Sequence, residues 1–202
     1  MPRNAPMRRR SQQERSESTQ TALLQATVRC LGRDGYADTS ISSIIAEAGV
    51  SRGALLHHYP TKNELIASAI VWFYRQRLNR FKEKLLGADT DRLSLEDRLQ
   101  VLREDFETWY ATALEIEVAM RTNDEIAALQ REMTAIDDEE MSREYEQLFP
   151  EFAATEHPRD LVGIACYLMR GLASDADGPA TDRRFELVVA MLKAYLETAV
   201  RV

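Results

Sequence analysis

The stretch AEAGVSRGALLHHYPTKNEL (Ala46–Leu65) interrupts a helical pattern twice in quick succession. Upstream of it, Ile41, Ile44, Ile45 and Ala48 recur at i, i+3, i+4 and i+7, the spacing of one buried face on a short helix. Gly49 stands where a left-handed C-terminal residue is wanted. Ser51 then serves as an N-cap, and Pro60 stops the helix it opens after two turns. "TKNE" (Thr61–Glu64) has the form of a capping box, and it opens a long helix with Leu65, Ile66, Ala69, Ile70, Phe73, Arg77, Phe81 and Leu85 along one side, ended by Gly87. A helix, a glycine turn and a short helix make a helix-turn-helix. In that arrangement the Ile41 helix braces the next one, which Val50, Leu55 and Tyr59 anchor from inside. The outer N-terminal face of the short helix is then available to a DNA major groove.

The remaining sequence extends the helical reading. Residues 1–17 are polar and aperiodic, so the spacing predicts a flexible basic arm. A first helix follows from Thr19, with Leu23, Leu24, Ala26, Thr27, Cys30 and Leu31 inward, and Gly32 and Gly35 end it. Thr39 or Ser40 caps the second helix. Downstream, helices are expected at about 95–113, 115–121 and 124–148, from Pro158, and at about 182–200. Gly and Pro number only 8 and 6, which suits helices better than a turn-rich sheet protein. The expected class is all-α: a three-helix DNA-binding domain at 18–78, with its motif at about 41–60, joined to a helical-bundle effector-binding and dimerisation domain at 79–202.

Charge divides the chain unevenly. Residues 1–62 carry nine Lys/Arg against five Asp/Glu, whereas residues 63–202 carry 17 against 28. A basic head on an acidic body points the head at a polyanion. Arg8, Arg9 and Arg10 either follow a groove, as basic arms do, or belong to a plain solvated tail. No run approaches the ~20 apolar residues of a membrane span. The N-terminus lacks the apolar segment of a secretory signal. Cys30 and Cys166 lie in apolar helical patterns far apart, the mark of reduced thiols in a cytoplasmic protein.

The run GYADTSISSIIAEAGVSRGALLHHYPTKNELI resembles the N-terminal domain of the TetR/AcrR family of transcriptional regulators, and the likeness extends over about Thr19–Phe73. Ordered residues match throughout: Gly35-Tyr36, the Thr-Ser pair, the turn into Ser51, Arg52-Gly53-Ala54-Leu55, His58-Tyr59-Pro60 and Lys62. The resemblance implies a homodimer that binds double-stranded DNA at a pseudo-palindromic operator and releases it when a small effector occupies the body. It implies a repressor, with an activator of the same family as the alternative. It also implies backbone-phosphate contacts from Thr39 and Ser40, base reading by Arg52, Gly53 and Ala54, a phosphate contact from Lys62, and His57 on the outer face near phosphate; the helix N-termini at Thr39/Ser40, Ser51 and Lys62 themselves aim amides and positive dipole ends at DNA phosphates. Two positions depart from the family pattern. Leu56 stands where a phosphate-binding Tyr is frequent, and suits an apolar contact such as a thymine methyl. Ile45 stands where Ala is usual.

In the body, Phe106, Trp109, Tyr110, Ile116, Met120, Met133 and Ile136 either line an apolar effector pocket or form ordinary core. Leu161, Ile164, Leu168 and Leu172 make one apolar face, and Phe185, Val189, Leu192 and Leu196 another. Each is either monomer core or half of an isologous four-helix dimer interface, as the resemblance implies. Enzymatic chemistry has no footing: the sequence holds no nucleophile elbow, phosphate loop or metal-ligand spacing. Neighbouring His57 and His58 diverge by about 100° on a helix, and the carboxylates of Asp137–Glu140 spread around their axis. Neither is read as a metal site, and no cofactor is expected.

Overall fold

The computed structural model describes residues 12–86, 93–134, 143–144, 147–175 and 178–199. Among the described residues the chain forms helices and no strand: α1 (Gln12–Asp38), α2 (Ile41–Ala48), α3 (Arg52–His58), α4 (Lys62–Leu86), α5 (Leu95–Thr122), α6 (Asp124–Thr134), α7 (Pro150–Ala153), α8 (Pro158–Ala173) and α9 (Pro179–Ala199). None of these helices is long and apolar enough to cross a membrane.

α1 differs from its sequence reading at both ends. It begins at Gln12, so residues 12–17 are helical rather than part of an arm, and residues 1–11 lie outside the described residues. A Gln13-to-Glu17 hydrogen bond at 3.0 Å and the Thr19 hydroxyl on the Arg15 carbonyl at 2.9 Å connect successive turns there. Gly32 does not end the helix. Its missing Cβ admits α5, since a methyl group at this position would stand 2.4 Å from the Thr112 hydroxyl oxygen. The break comes at Gly35, whose φ of 76° and ψ of 168° are open to glycine and strained for other residues.

The capping box opening α4 is present. Glu64 donates its amide to the Thr61 hydroxyl at 3.1 Å, and the Thr61 amide donates to the Glu64 carboxylate at 3.0 Å. α5 runs unbroken through residue 114, where two helices were expected. It contains no Gly or Pro, and its inward row continues through Phe106, Ala113, Ile116 and Ala119. Pro158 opens α8 at its first helical position, where its missing N–H costs nothing.

Two apolar cores result. The first holds Leu23, Leu31, Ile44, Leu55, Ile66, Ile70 and Phe73 from α1–α4, closed by Ala113 and Ile116 of α5 and Ile126 of α6. The second holds Phe81, Leu85, Leu99, Leu102, Phe149, Phe152, Leu161, Met169, Phe185 and Val189. The head is therefore not walled off at residue 78: α5 belongs to both cores.

Between the cores, Arg77 of α4 donates through Nε and Nη2 to one carboxylate oxygen of Asp105 at 2.9 and 2.6 Å. Both side chains are 7% exposed. The guanidinium also lies 4.4 Å from the Phe106 ring centroid and 5.7 Å from that of Phe73. Cys166 lies near this pair, and burial pushes its thiol up to about 11; burial raises Cys30 as well. Asp105→Ala leaves the Arg77 charge unpaired in the interior and should lower unfolding free energy by about 3–5 kcal/mol. The double variant Arg77→Met/Asp105→Leu should recover most of that loss in urea unfolding, because no charge is then left buried.

Candidate nucleic-acid interface

Local rules build the motif. Ser40 caps α2, its hydroxyl accepting the Ser43 amide at 3.0 Å while the Ser43 hydroxyl accepts the Ser40 amide at 2.9 Å. Gly49 closes α2 in the left-handed region with φ 67° and ψ 30°. A Cβ there meets nothing within 4 Å, so glycine serves the backbone turn rather than packing. Ser51 caps α3 by accepting the Ala54 amide at 3.2 Å.

α3 is pinned on one side only. Leu55 is fully buried and Tyr59 is 5% exposed, so both face the core. On the other side Ser51, Arg52, Gly53 and His57 are exposed, Ala54 is half-buried and Leu56 is 49% exposed. A Cβ on Gly53 would meet only the Ser51 hydroxyl at 3.9 Å. The surface above Arg52-Gly53-Ala54 is thus open and low, bordered by one guanidinium. His57 and His58 stand edge-to-face with centroids 5.3 Å apart, and among the described residues no three His, Cys, Asp or Glu side chains group as metal ligands.

Lys62, the first residue of α4, is half-buried with its ammonium 5.4 Å from the Tyr36 ring centroid. Thr39 departs from its expected role. It is 1% exposed and donates its hydroxyl to the Gly35 carbonyl at 2.7 Å, so this side chain points into the fold rather than toward a backbone phosphate.

The basic surface of the head is narrower than its composition. Arg29 and Arg33 both hydrogen-bond the Glu47 carboxylate, at 2.7 and 2.8 Å, and Arg33 also takes Asp34 at 2.8 Å. Arg33 first and Arg29 second hold Glu47 below the usual carboxylate range, and Arg33 does the same for Asp34. These arginines fasten α1 to α2. Sequence spacing does not pair residues 18 positions apart, so this was missed.

The residues read as a possible effector pocket do not converge. Phe106 belongs to the body core and Ile116 to the head core. Trp109 and Met120 pack against the head core, with Trp109 edge-on to Phe73 at 5.7 Å. Met133 lies in a separate groove beside Trp72 and Tyr59, and Ile136 falls outside the described residues, as does Asp137–Glu140. Tyr110 alone lines the cavity of about 290 Å³ between α5 and α8, with Leu114, Glu117, Tyr167, Arg170 and Ser174. There Arg170 is paired with Glu117.

The apolar faces of the last two helices also need correction. Leu161, Leu172, Phe185, Val189 and Leu192 are buried in the monomer's own core and Leu196 packs against it; of the eight expected interface residues only Ile164 and Leu168 are exposed, at 46% and 37%. The uncovered apolar face instead adds Tyr167, Leu187, Met191 and Tyr195. The strongest helical stripe goes to the monomer core, and the outer stripe lies next to it.

With this geometry in place, the comparisons are informative. The sequence profile of the bacterial regulatory proteins of the tetR family matches residues 23–69. That match spans the head and none of the body. The HTH-type transcriptional regulator CymR of Pseudomonas putida is 42% identical over 78 residues, 39% of this chain and 38% of CymR, so the chain matches well under half of that relative's length. A TetR-family regulator from Mesorhizobium loti superposes with a TM-score of 0.65 at 17% identity, over 91% of this chain and 98% of that one. A regulator from Saccharomonospora viridis solved with choline superposes with a TM-score of 0.59 at 15% identity, over 88% and 96%. The profile covers the head, and the two structures share the fold through the body. These relatives are regulators rather than enzymes.

Removing the Ser51 hydroxyl tests the local argument for α3. Ser51→Ala should lower unfolding free energy by about 1 kcal/mol, read by urea denaturation, because Ala54 loses its cap.

Proposed function

We propose that this TetR-family chain is a sequence-specific transcriptional repressor that binds a pseudo-palindromic operator as a homodimer. The observation that carries the reading is the outer face of α3: a helix anchored from one side by Leu55, with Arg52, Gly53 and Ala54 left open at its N-terminal end. Gly53 and Ala54 let the backbone approach the groove, and Arg52 reaches a guanine edge. Leu56 offers an apolar contact, and His57 lies toward phosphate. The α2, α3 and α4 N-termini at Ser40, Ser51 and Lys62 present amides and positive dipole ends to the backbone. Thr39 contributes by fixing Ser40 rather than by touching DNA.

A dimer supplies the second reading helix, about 34–36 Å away across one turn of duplex. The uncovered face of α8 and α9, centred on Tyr167, Leu187 and Met191, is the surface for that second copy. A small effector enters the body at the cavity between α5 and α8; the Saccharomonospora viridis neighbour was solved in complex with the small cation choline. By separating α5 from α8 it changes the angle of α4 and the spacing of the reading helices. The effector must bind the released state more tightly, with coupling of about 1–3 kcal/mol.

Selection from random duplex DNA by the purified protein, at fixed salt, tests the reading. An enriched inverted repeat is the expected result; salt-sensitive binding with no enriched sequence overturns it. On the selected duplex, Arg52→Ala should cost about 1–3 kcal/mol and relax preference at one base position. Lys62→Ala should weaken all sequences alike and reduce the salt slope by about one. Met191→Glu places a charge in the proposed dimer face. Sedimentation should show it monomeric at micromolar concentration, with its unfolding free energy little changed when compared as a monomer.

A further inference from the structure

We propose that Tyr36 positions Lys62 for its phosphate contact, and that Glu115 and Asn123 of the body hold Tyr36 in place. This rests on the assignment of Lys62 to phosphate.

The joint begins at Gly35. Its positive φ turns the Tyr36 amide out of the α1 ladder, and the Glu115 carboxylate of α5 accepts it at 2.9 Å. A Cβ on Gly35 would stand 3.1 Å from that same carboxylate oxygen, so glycine also makes room for the acceptor. The carbonyl side of this peptide pair is fixed as well, for the Gly35 oxygen accepts both the Thr39 amide at 3.2 Å and the Thr39 hydroxyl at 2.7 Å.

The Tyr36 ring is held at its far end. Its hydroxyl accepts from the Asn123 amide nitrogen at 2.9 Å. Asn123 ends α5, and its side-chain oxygen accepts the Glu125 and Ile126 amides at 3.1 and 3.2 Å, so it also caps α6. Both ends of Tyr36 therefore answer to the last two turns of α5. The Lys62 ammonium rests over the face of this fixed ring. Next in sequence, Asn63 donates to Glu125 across the same corner. A lysine stem carries many rotamers, and a ring fixed beneath its head selects among them before DNA arrives.

Glu115 and Asn123 touch the head from a helix whose other side lines the α5–α8 cavity through Leu114 and Glu117. Through Tyr36 they act on Lys62, which makes them positioning residues; the Asn123 contact to the ring takes that route alone, so its effect must vanish when Lys62 is absent, while Glu115 also borders the Gly35 peptide that Thr39 holds.

The test measures affinity and salt slope on the selected duplex for the full chain and its variants. Lys62→Ala sets the reference. Tyr36→Leu, Asn123→Ala and Glu115→Ala should each weaken binding about three- to tenfold, the scale of one cation–π contact or hydrogen bond, and flatten the slope. In the Lys62→Ala background Tyr36→Leu and Asn123→Ala should weaken it no further, and these two variants decide the test. Glu115→Gln removes the same charge but keeps an oxygen acceptor, and should bind like the unaltered protein. If Tyr36→Leu does not fold by circular dichroism, Tyr36→Phe, which keeps the ring and loses the Asn123 contact, takes its place with a smaller loss expected. A lower melting temperature with unchanged affinity and slope, or losses that persist without Lys62, overturns the inference while leaving the phosphate assignment intact. An unchanged slope in Lys62→Ala itself overturns both.

Discussion

A head of three short helices and the start of a fourth cannot close its own core, and α5 supplies the missing wall. Ala113 and Ile116 enter the head cluster from α5, and Gly32 lets the backbone of α1 lie close enough that Thr112 fills the place of a side chain. Fully burying a residue such as Ile116 is worth about 1.5–3 kcal/mol, comparable to a sizeable fraction of a domain's net stability. α3 is consequently anchored through Leu55 on a core that the body completes. Head and body are distinct in charge, yet not in packing.

The same constraint explains which features were legible in the sequence. Ser40, Gly49, Ser51, Pro60 and the Thr61/Glu64 box follow from backbone rules that act within four residues, and each is visible in the structure where the pattern put it. The inward row of α4 was equally plain. Thr39 was not, because its inward turn depends on the Gly35 carbonyl that the break in α1 presents. Nor was the outer face of α8 and α9: a single apolar stripe says that a helix is covered, but not whether its own chain or a second copy covers it. Phe106 and Ile116 share one helix and face different cores, a distinction that periodicity does not draw.

Charge gives a related lesson. Composition assigned the head an excess of basic residues, but Arg29 and Arg33 are committed to Glu47 and Asp34. These exposed pairs contribute little to stability, and they still remove two cations from the surface that faces a polyanion. Among the described residues of the motif, the proposed attraction to phosphate then rests on Arg52, Lys62 and the helix N-termini. A small number of contacts makes the placement of each one matter more, and a lysine resting on a held ring is placed better than one moving through solvent.

α5 is also the element through which the two ends of the molecule can influence each other. Residues 115 and 117 are two apart, about 200° around a helix, so adjacent carboxylates point to opposite sides. Glu115 takes the Tyr36 amide of the head, and Glu117 takes Arg170 of α8. A molecule lodged between α5 and α8 must compete with the second pair or move one of the helices that make it. Because Gly32 and Thr112 are in contact, and Arg77 is tied to Asp105 one core away, α5 has little freedom to shift without carrying α1 and α4 along. Tight packing thus gives the proposed effector a route to the head: a displacement between α5 and α8 carries α1 and α4 with it.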